Sequence, residues 1–165
     1  MMEERLDTSR RSVFMAGVHD GVPIALGYFV VAFTLGILAK TAGLTPWQGF
    51  VTSAVNIASA GEYAGFTVIA AQAPYVEIAL LTLVANARYF LMSAALSQRF
   101  SPETPLLHRL AVSFGVTDEV FGITVARGGT VNPYYNYGAL AISVPAWSAG
   151  TSAGILAGGI LPSAV

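Results

Sequence analysis

The chain has 165 residues, 55% hydrophobic and only 10% charged, with a formal net charge of -1 and a mean hydropathy of +0.64, where a soluble domain is about one quarter charged. That balance excludes an ordinary soluble domain, and with no basic patch interleaved with aromatics it gives nucleic acid no footprint. No cysteine is present, and His19 and His108 stand alone, so thiol chemistry and a clustered metal site have no residues to build on.

The opening "MMEERLDTSRRSVFMAGVHDG" is too charged for a cleavable signal and is expected to stay as a cytoplasmic segment, 1–20. Everything after it, 21–165, reads as a single transmembrane domain, with room for about four or five spans of roughly 20 apolar residues each. The first span is expected over 22–39, with Pro23 in its opening turn and Asp20 as its N-cap. The next apolar stretch, 47–72, is interrupted at "NIASAGE", from Asn56 to Glu62, and reads as a re-entrant or broken helix hairpin. A pass over 75–97 follows, then 106–126 and 137–161. Arg5, Arg10 and Arg11 precede the first span, and Arg99 and Arg109 flank "QRFSPETPLLHR", which places both segments, and the N-terminus, in the cytoplasm. Two cytoplasmic ends need an even number of crossings between them, which is why 47–72 is read as turning back. Trp47, Tyr75, Tyr134, Tyr135 and Tyr137 stand at span ends, where aromatic belts form.

Charges at bilayer depth mark the candidate chemistry. Glu62, Arg88, Asp118 and Glu119 all fall inside apolar stretches, where a charge at the helix centre costs at least about 2.5–3.5 kcal/mol and so pairs or faces a polar cavity. One permanent cation, Arg88, among up to three carboxylates suggests a shared buried network with a protonatable member, Glu62 or Asp118. Asn56 and Asn86 are further polar candidates, although Asn86 lies on nearly the opposite helix face from Arg88. Gly115, Asp118 and Gly122 share one side of a helix if it is continuous, while Gly115 is also a point where it can break. Gly150, Gly154 and Gly158 recur four apart, a ribbon on which another helix can pack closely. "TLGILA" at 34–39 faintly echoes "SAGILA" at 152–157. No nucleophile elbow, zinc-protease motif or phosphate loop is present, so no enzyme is expected.

The segments "SAGEYAGF", "LVANARYFLMSAAL", "TDEVFG" and "YYNYGALAISVPAWSAGTSAGILAG", in that order, resemble the AzlC family of branched-chain amino-acid exporters. The resemblance implies an all-α polytopic carrier subunit in the bacterial inner membrane. It would export leucine, isoleucine, valine or similar apolar amino acids, with no cofactor and with a small AzlD-type membrane subunit as partner. It departs at Glu62, where the family commonly has Gln, and beyond "GGILPSAV", where the family carries further hydrophobic spans. A passive small-solute channel filtered by the hairpin, and a structural subunit docking through the Gly150, Gly154 and Gly158 ribbon, are the other readings.

Overall fold

The computed structural model describes residues 2–160; Leu161, the expected end of the last span, and the side chain of Arg5 lie outside what is described. Among the described residues there are eight helices and no strand. Two are long: α1 (Met2–Thr41) and α8 (Pro133–Gly158). Between them lie three pairs of half-length helices: α2 (Pro46–Val55) with α3 (Ser59–Ala70), α4 (Tyr75–Ala85) with α5 (Ala87–Ser97), and α6 (Leu106–Phe114) with α7 (Asp118–Ala126). α1 from Ser9 onward and α8 are each long and apolar enough to cross a membrane, and α4 and α5, bent by 44° at their break, are so only as a pair, a broken span or a re-entrant loop.

Prolines and caps explain most of the boundaries. Pro46 opens α2 beneath a reciprocal cap, in which Thr45 Oγ1 accepts from the Gln48 N–H and Gln48 Oε1 accepts from the Thr45 N–H. Pro74 and Pro105 occupy the N-cap positions of α4 and α6, and Pro133 starts α8. Gly115 ends α6, and Thr117 caps α7 by accepting from the Val120 N–H at 3.3 Å. Thr117→Ala should lower stability by roughly 1 kcal/mol, the usual worth of such a cap, measurable as thermal unfolding in detergent. An unchanged transition would show that the cap is dispensable.

Several expectations change here. The 1–20 segment is not set apart from the first span: α1 runs through it without a break, and Pro23 and Asp20 lie deep inside the helix rather than at its start. The stretch 75–97 is not one helix, because Asn86 leaves helical geometry and divides it. Gly115 and Asp118 do not share a continuous helix, since the chain breaks between them. Tyr135 is buried at 2% exposure inside α8, whereas Trp47 and Tyr75 are 71% and 87% exposed.

The chain forms two compact units. The first comprises Met1–Ile24 and Arg88–Ser143. Its core holds Leu96, Phe100, Val112, Val116 and Val131, with Met92, Phe121 and Tyr137 against them. Arg99 donates to the carbonyls of Val125 and Gly129, satisfying acceptors at the end of α7. The α1 and α8 segments pack backbone to backbone here: Gly17 lies against Tyr135 and Ala139, and Gly138 against Phe14 and Val18.

The second unit comprises Ala25–Ala87 and Val144–Val165. Within it α3 packs on α4, and Phe66, Leu35, Tyr28, Trp147 and Ile155 are buried. Gly150 meets Phe29 and Ala32, Gly154 meets Phe33 and Gly36, and Gly158 meets Ile37 and Lys40. In both units the residue numbers of α1 and α8 rise together, so the paired segments run parallel. Two parallel spans require an odd number of crossings between them. The expected scheme, with 47–72 turning back and both 75–97 and 106–126 crossing, supplies two. A single crossing meets the odd count, and among the described residues α4 with α5 is the one bent pair apolar enough to make it, which leaves the arginine placement at the N-terminus and around 99–109 as it was. The broken helices themselves remain.

Candidate functional site

The polar groups at bilayer depth resolve into two clusters, one in each unit, rather than the single network expected from charge. In the first unit Arg88 Nη1 pairs with Asp118 Oδ2 at 2.8 Å, both side chains about half exposed, at 48% and 45%. Arg88 also lies over the Tyr89 ring, 5.3 Å from its centroid. Glu119, next to Asp118 in the first turn of α7, adds a second negative charge to the field at Arg88. In the same unit Asp20 accepts from the Tyr135 hydroxyl at 2.8 Å and lies 3.7 Å from Arg127, whose guanidinium covers the Tyr135 ring at 4.3 Å. Asp20 therefore joins α1 to α8 instead of capping a helix, a role its sequence context did not signal.

The second cluster is built on the break between α2 and α3. Asn56 ends α2 in extended geometry, and Ala58, also extended, precedes α3 without any side-chain cap. The first N–H groups of α3 therefore have no intrahelical acceptor and, among the described residues, no side-chain cap, and they carry the positive end of the helix dipole. Gly61 sits in this first turn. A Cβ there would lie 3.0 Å from Asn86 Nδ2 and 3.4 Å from Asn56 Nδ2, so the two amides meet over a position kept open by the missing side chain. Asn86 is itself the end of α4, at the second helix break. Its Oδ1 is buried and has no hydrogen-bond partner among the described residues, an exposed debt of about 1–3 kcal/mol that a ligand could relieve. Three elements thus bring two amides and an open helix N-terminus to one place.

Glu62 follows directly. Its side chain is 1% exposed. Oε1 accepts from Trp147 Nε1 at 2.7 Å, and Oε2 lies 3.1 Å from Ser53 Oγ, which in turn lies 2.7 Å from Thr151 Oγ1. The ring of Tyr28 meets Trp147 edge-on, 5.3 Å between centroids. All of the hydrogen-bond partners of Glu62 among the described residues are neutral. A carboxylate with no cation beside it in such a site depends on these donors and on the helix N-terminus it belongs to.

Asn56, Asn86 and Glu62 are therefore brought together in one unit, and Arg88, Asp118 and Glu119 in the other. Ser53 was missed, having no neighbour in sequence to single it out. Trp147 and Thr151 were visible only as part of a family-like segment.

The family model described as AzlC protein matches residues 23–161. The chain belongs to the AzlC family. Over 153 residues, 93% of this chain, it is 29% identical to a protein of Archaeoglobus fulgidus named "Uncharacterized membrane protein", of which it covers 66%. It is 28% identical over 116 residues, 70% of this chain, to "Inner membrane protein YgaZ" of Escherichia coli, covering 47% of that protein. The chain thus spans about two thirds and about half of the length of these relatives. No solved structure matches it. As an AzlC protein it is a multi-pass helical membrane protein of a family associated with transport, and the breaks at Asn56 and Asn86 lie within the matched region.

Proposed function

We propose that this AzlC protein is the carrier subunit of a secondary transporter that exports branched-chain or similar apolar amino acids across a cytoplasmic membrane, coupled to protons. The observation that carries this reading is the uncapped N-terminus of α3, flanked by Asn56, Gly61 and Asn86. Discontinuous helices whose half-helix N-termini meet anionic groups are a recurrent way for secondary transporters to bind small charged solutes. The substrate carboxylate sits on the free N–H groups of α3, and its ammonium donates to Asn86 Oδ1, the acceptor left without a partner. Arg88 is already neutralised by Asp118, so it serves as a tie between α5 and α7 rather than as the carboxylate ligand. Arg10 and Arg11 near the start of α1, with Arg99 just after α5 and Arg109 in the first turn of α6, support a cytoplasmic N-terminus. A small AzlD-type subunit completes the transporter. The structural-subunit reading loses its docking face, because α1 covers Gly150, Gly154 and Gly158.

The test is leucine efflux from bacteria loaded with a leucine-containing dipeptide. Cells with no exporter are compared with cells expressing this chain, alone or with an AzlD-type partner, and with the Asn86→Leu and Arg88→Ala variants. Asn86→Leu should slow release by about tenfold or more at unchanged membrane abundance, as expected for losing a hydrogen bond to a charged group, worth roughly 1.5–3 kcal/mol. Arg88→Ala should act mainly on abundance. Release unaffected by Asn86→Leu would sink the placement of the substrate, and the absence of trans-acceleration in counterflow would turn the reading to a channel.

A further inference from the structure

Ser53 has one hydroxyl hydrogen, yet its Oγ lies within hydrogen-bond distance of two oxygens, Glu62 Oε2 at 3.1 Å and Thr151 Oγ1 at 2.7 Å. One hydrogen serves one strong bond, so the second contact needs a hydrogen from the other side. There are two ways to supply it. In the first, Thr151 donates to Ser53 and Ser53 donates to an ionised Glu62. In the second, Glu62 carries a proton and donates it to Ser53, Ser53 donates to Thr151, and Thr151 turns its hydrogen to the Trp147 carbonyl, 3.4 Å away. Trp147 Nε1 donates to Oε1 in both. The two arrangements use the same heavy-atom positions and differ only in the direction of the O–H bonds.

We infer that Glu62, Ser53 and Thr151 form a reversible hydroxyl relay that is the proton-binding site of this transporter, able to hold Glu62 with or without its proton and with every partner satisfied. This rests on the transport reading above and makes Glu62, not Asp118, the coupling group. Asp118 already has Arg88 as its counter-ion, whereas Glu62 has only neutral donors among the described residues. The neighbouring elements supply little competing charge. The titratable or charged residues that α1 contributes to this unit are Tyr28, against Trp147, and Lys40, against Gly158; α3 itself adds Tyr63, and α4 adds Tyr75 and Glu77. Tyr63 and Tyr75 are 58% and 87% exposed, and Glu77 is exposed. α2, and α8 from Val144 onward, carry no charged residue.

The chemistry is a single proton transfer. The Oε2–H bond breaks, its electron pair stays on Oε2, the proton passes to water, and nothing is oxidised or reduced. Ser53, Glu62 and Thr151 are 0%, 1% and 0% exposed, so water reaches them only when the site opens. Exchange of the proton is thereby tied to a change of conformation, which is what coupling requires.

Infrared difference spectra of the purified protein in lipid, prepared with unlabelled and with carbon-13-labelled glutamate, read the relay without any transport. A glutamic-acid carbonyl band should appear as the pH falls, move with the label, vanish in Glu62→Gln, and change frequency in Ser53→Ala. Leucine efflux by the chain with its small partner should lose its pH dependence in Glu62→Gln, whose amide can donate to Ser53 as the protonated acid does. The label marks all six glutamates of the chain, so the wild-type minus Glu62→Gln difference carries the assignment. A difference without a label-sensitive carbonyl band, or a Glu62→Gln variant with the wild-type pH dependence of efflux, overturns the relay. The spectral difference decides even where the variant is inactive in transport, provided that it is folded. A wild-type chain that shows the band but moves no leucine supports the relay and overturns the transport reading instead.

Discussion

Replacing Gly154 by leucine should leave little folded protein in the membrane. A Cβ at this position would overlap the Phe33 carbonyl oxygen and come within 2.9 Å of Gly36 Cα. Both obstacles are backbone, so no rotamer change relieves them, and the two helices must separate. Overpacking a well-packed site typically costs about 1–3 kcal/mol. Here the loss should exceed roughly 3 kcal/mol, because close approach along a small-residue seam is itself what holds helices together in lipid. The comparison is Gly122→Ala, where the new Cβ meets nothing within 4 Å and the helix former replaces a helix breaker. Detergent-extracted protein, followed by size exclusion and thermal unfolding, should show a monodisperse Gly122→Ala and a collapsed yield of Gly154→Leu. Equal yields would mean that the seam is not what holds α1 to α8.

The second large effect concerns transport and should leave folding intact. Gly61→Ala brings a methyl within 3.0 Å of Asn86 Nδ2, a side-chain end that can move by a few tenths of an ångström. Export should fall several-fold. Gly61→Val adds two methyl groups in the direction of both amides and fills the position assigned to the substrate, so export should fall to the level of cells without an exporter. Since Gly is a poor helix former, worth about 0.8–1.0 kcal/mol against Ala, the alanine variant should not lose abundance. A Gly61→Val protein that exports leucine at the normal rate would remove the substrate from this site altogether.

The helical membrane character and the breaks near Asn56 and Gly115 were legible because Asn, Ser and Gly cluster there, and these residues either bond their own backbone or leave it unrestrained. The break at Asn86 was not, because "LTLVANARYF" contains no Gly or Pro and a lone Asn in an apolar run is tolerated by a helix as often as it ends one. The candidates Glu62, Asn56 and Asn86 could be singled out as polar groups out of place, but their grouping could not. Ser53 is 9 residues from Glu62, Trp147 is 85 away, and Ser53 and Thr151 are 98 apart. Such contacts follow from which helix lies beside which, and a glycine ribbon records that some helix comes close without recording whose. For the same reason Arg88 looked like the partner of all three carboxylates: charge is visible in sequence, and division into two units is not.

The parallel pairing of α1 with α8 has a consequence for how the protein is made. Gly36 and the Gly154 that covers it are 118 positions apart, from their numbers alone. At about 5–20 residues per second of synthesis, α1 therefore waits on the order of ten seconds between emerging and meeting its partner. Throughout that interval its small-residue groove faces lipid, or any other helix that happens to pass. Biogenesis of this protein is consequently most vulnerable early, and a helper that shields α1 until α8 is inserted would raise the yield more than any change to the finished fold.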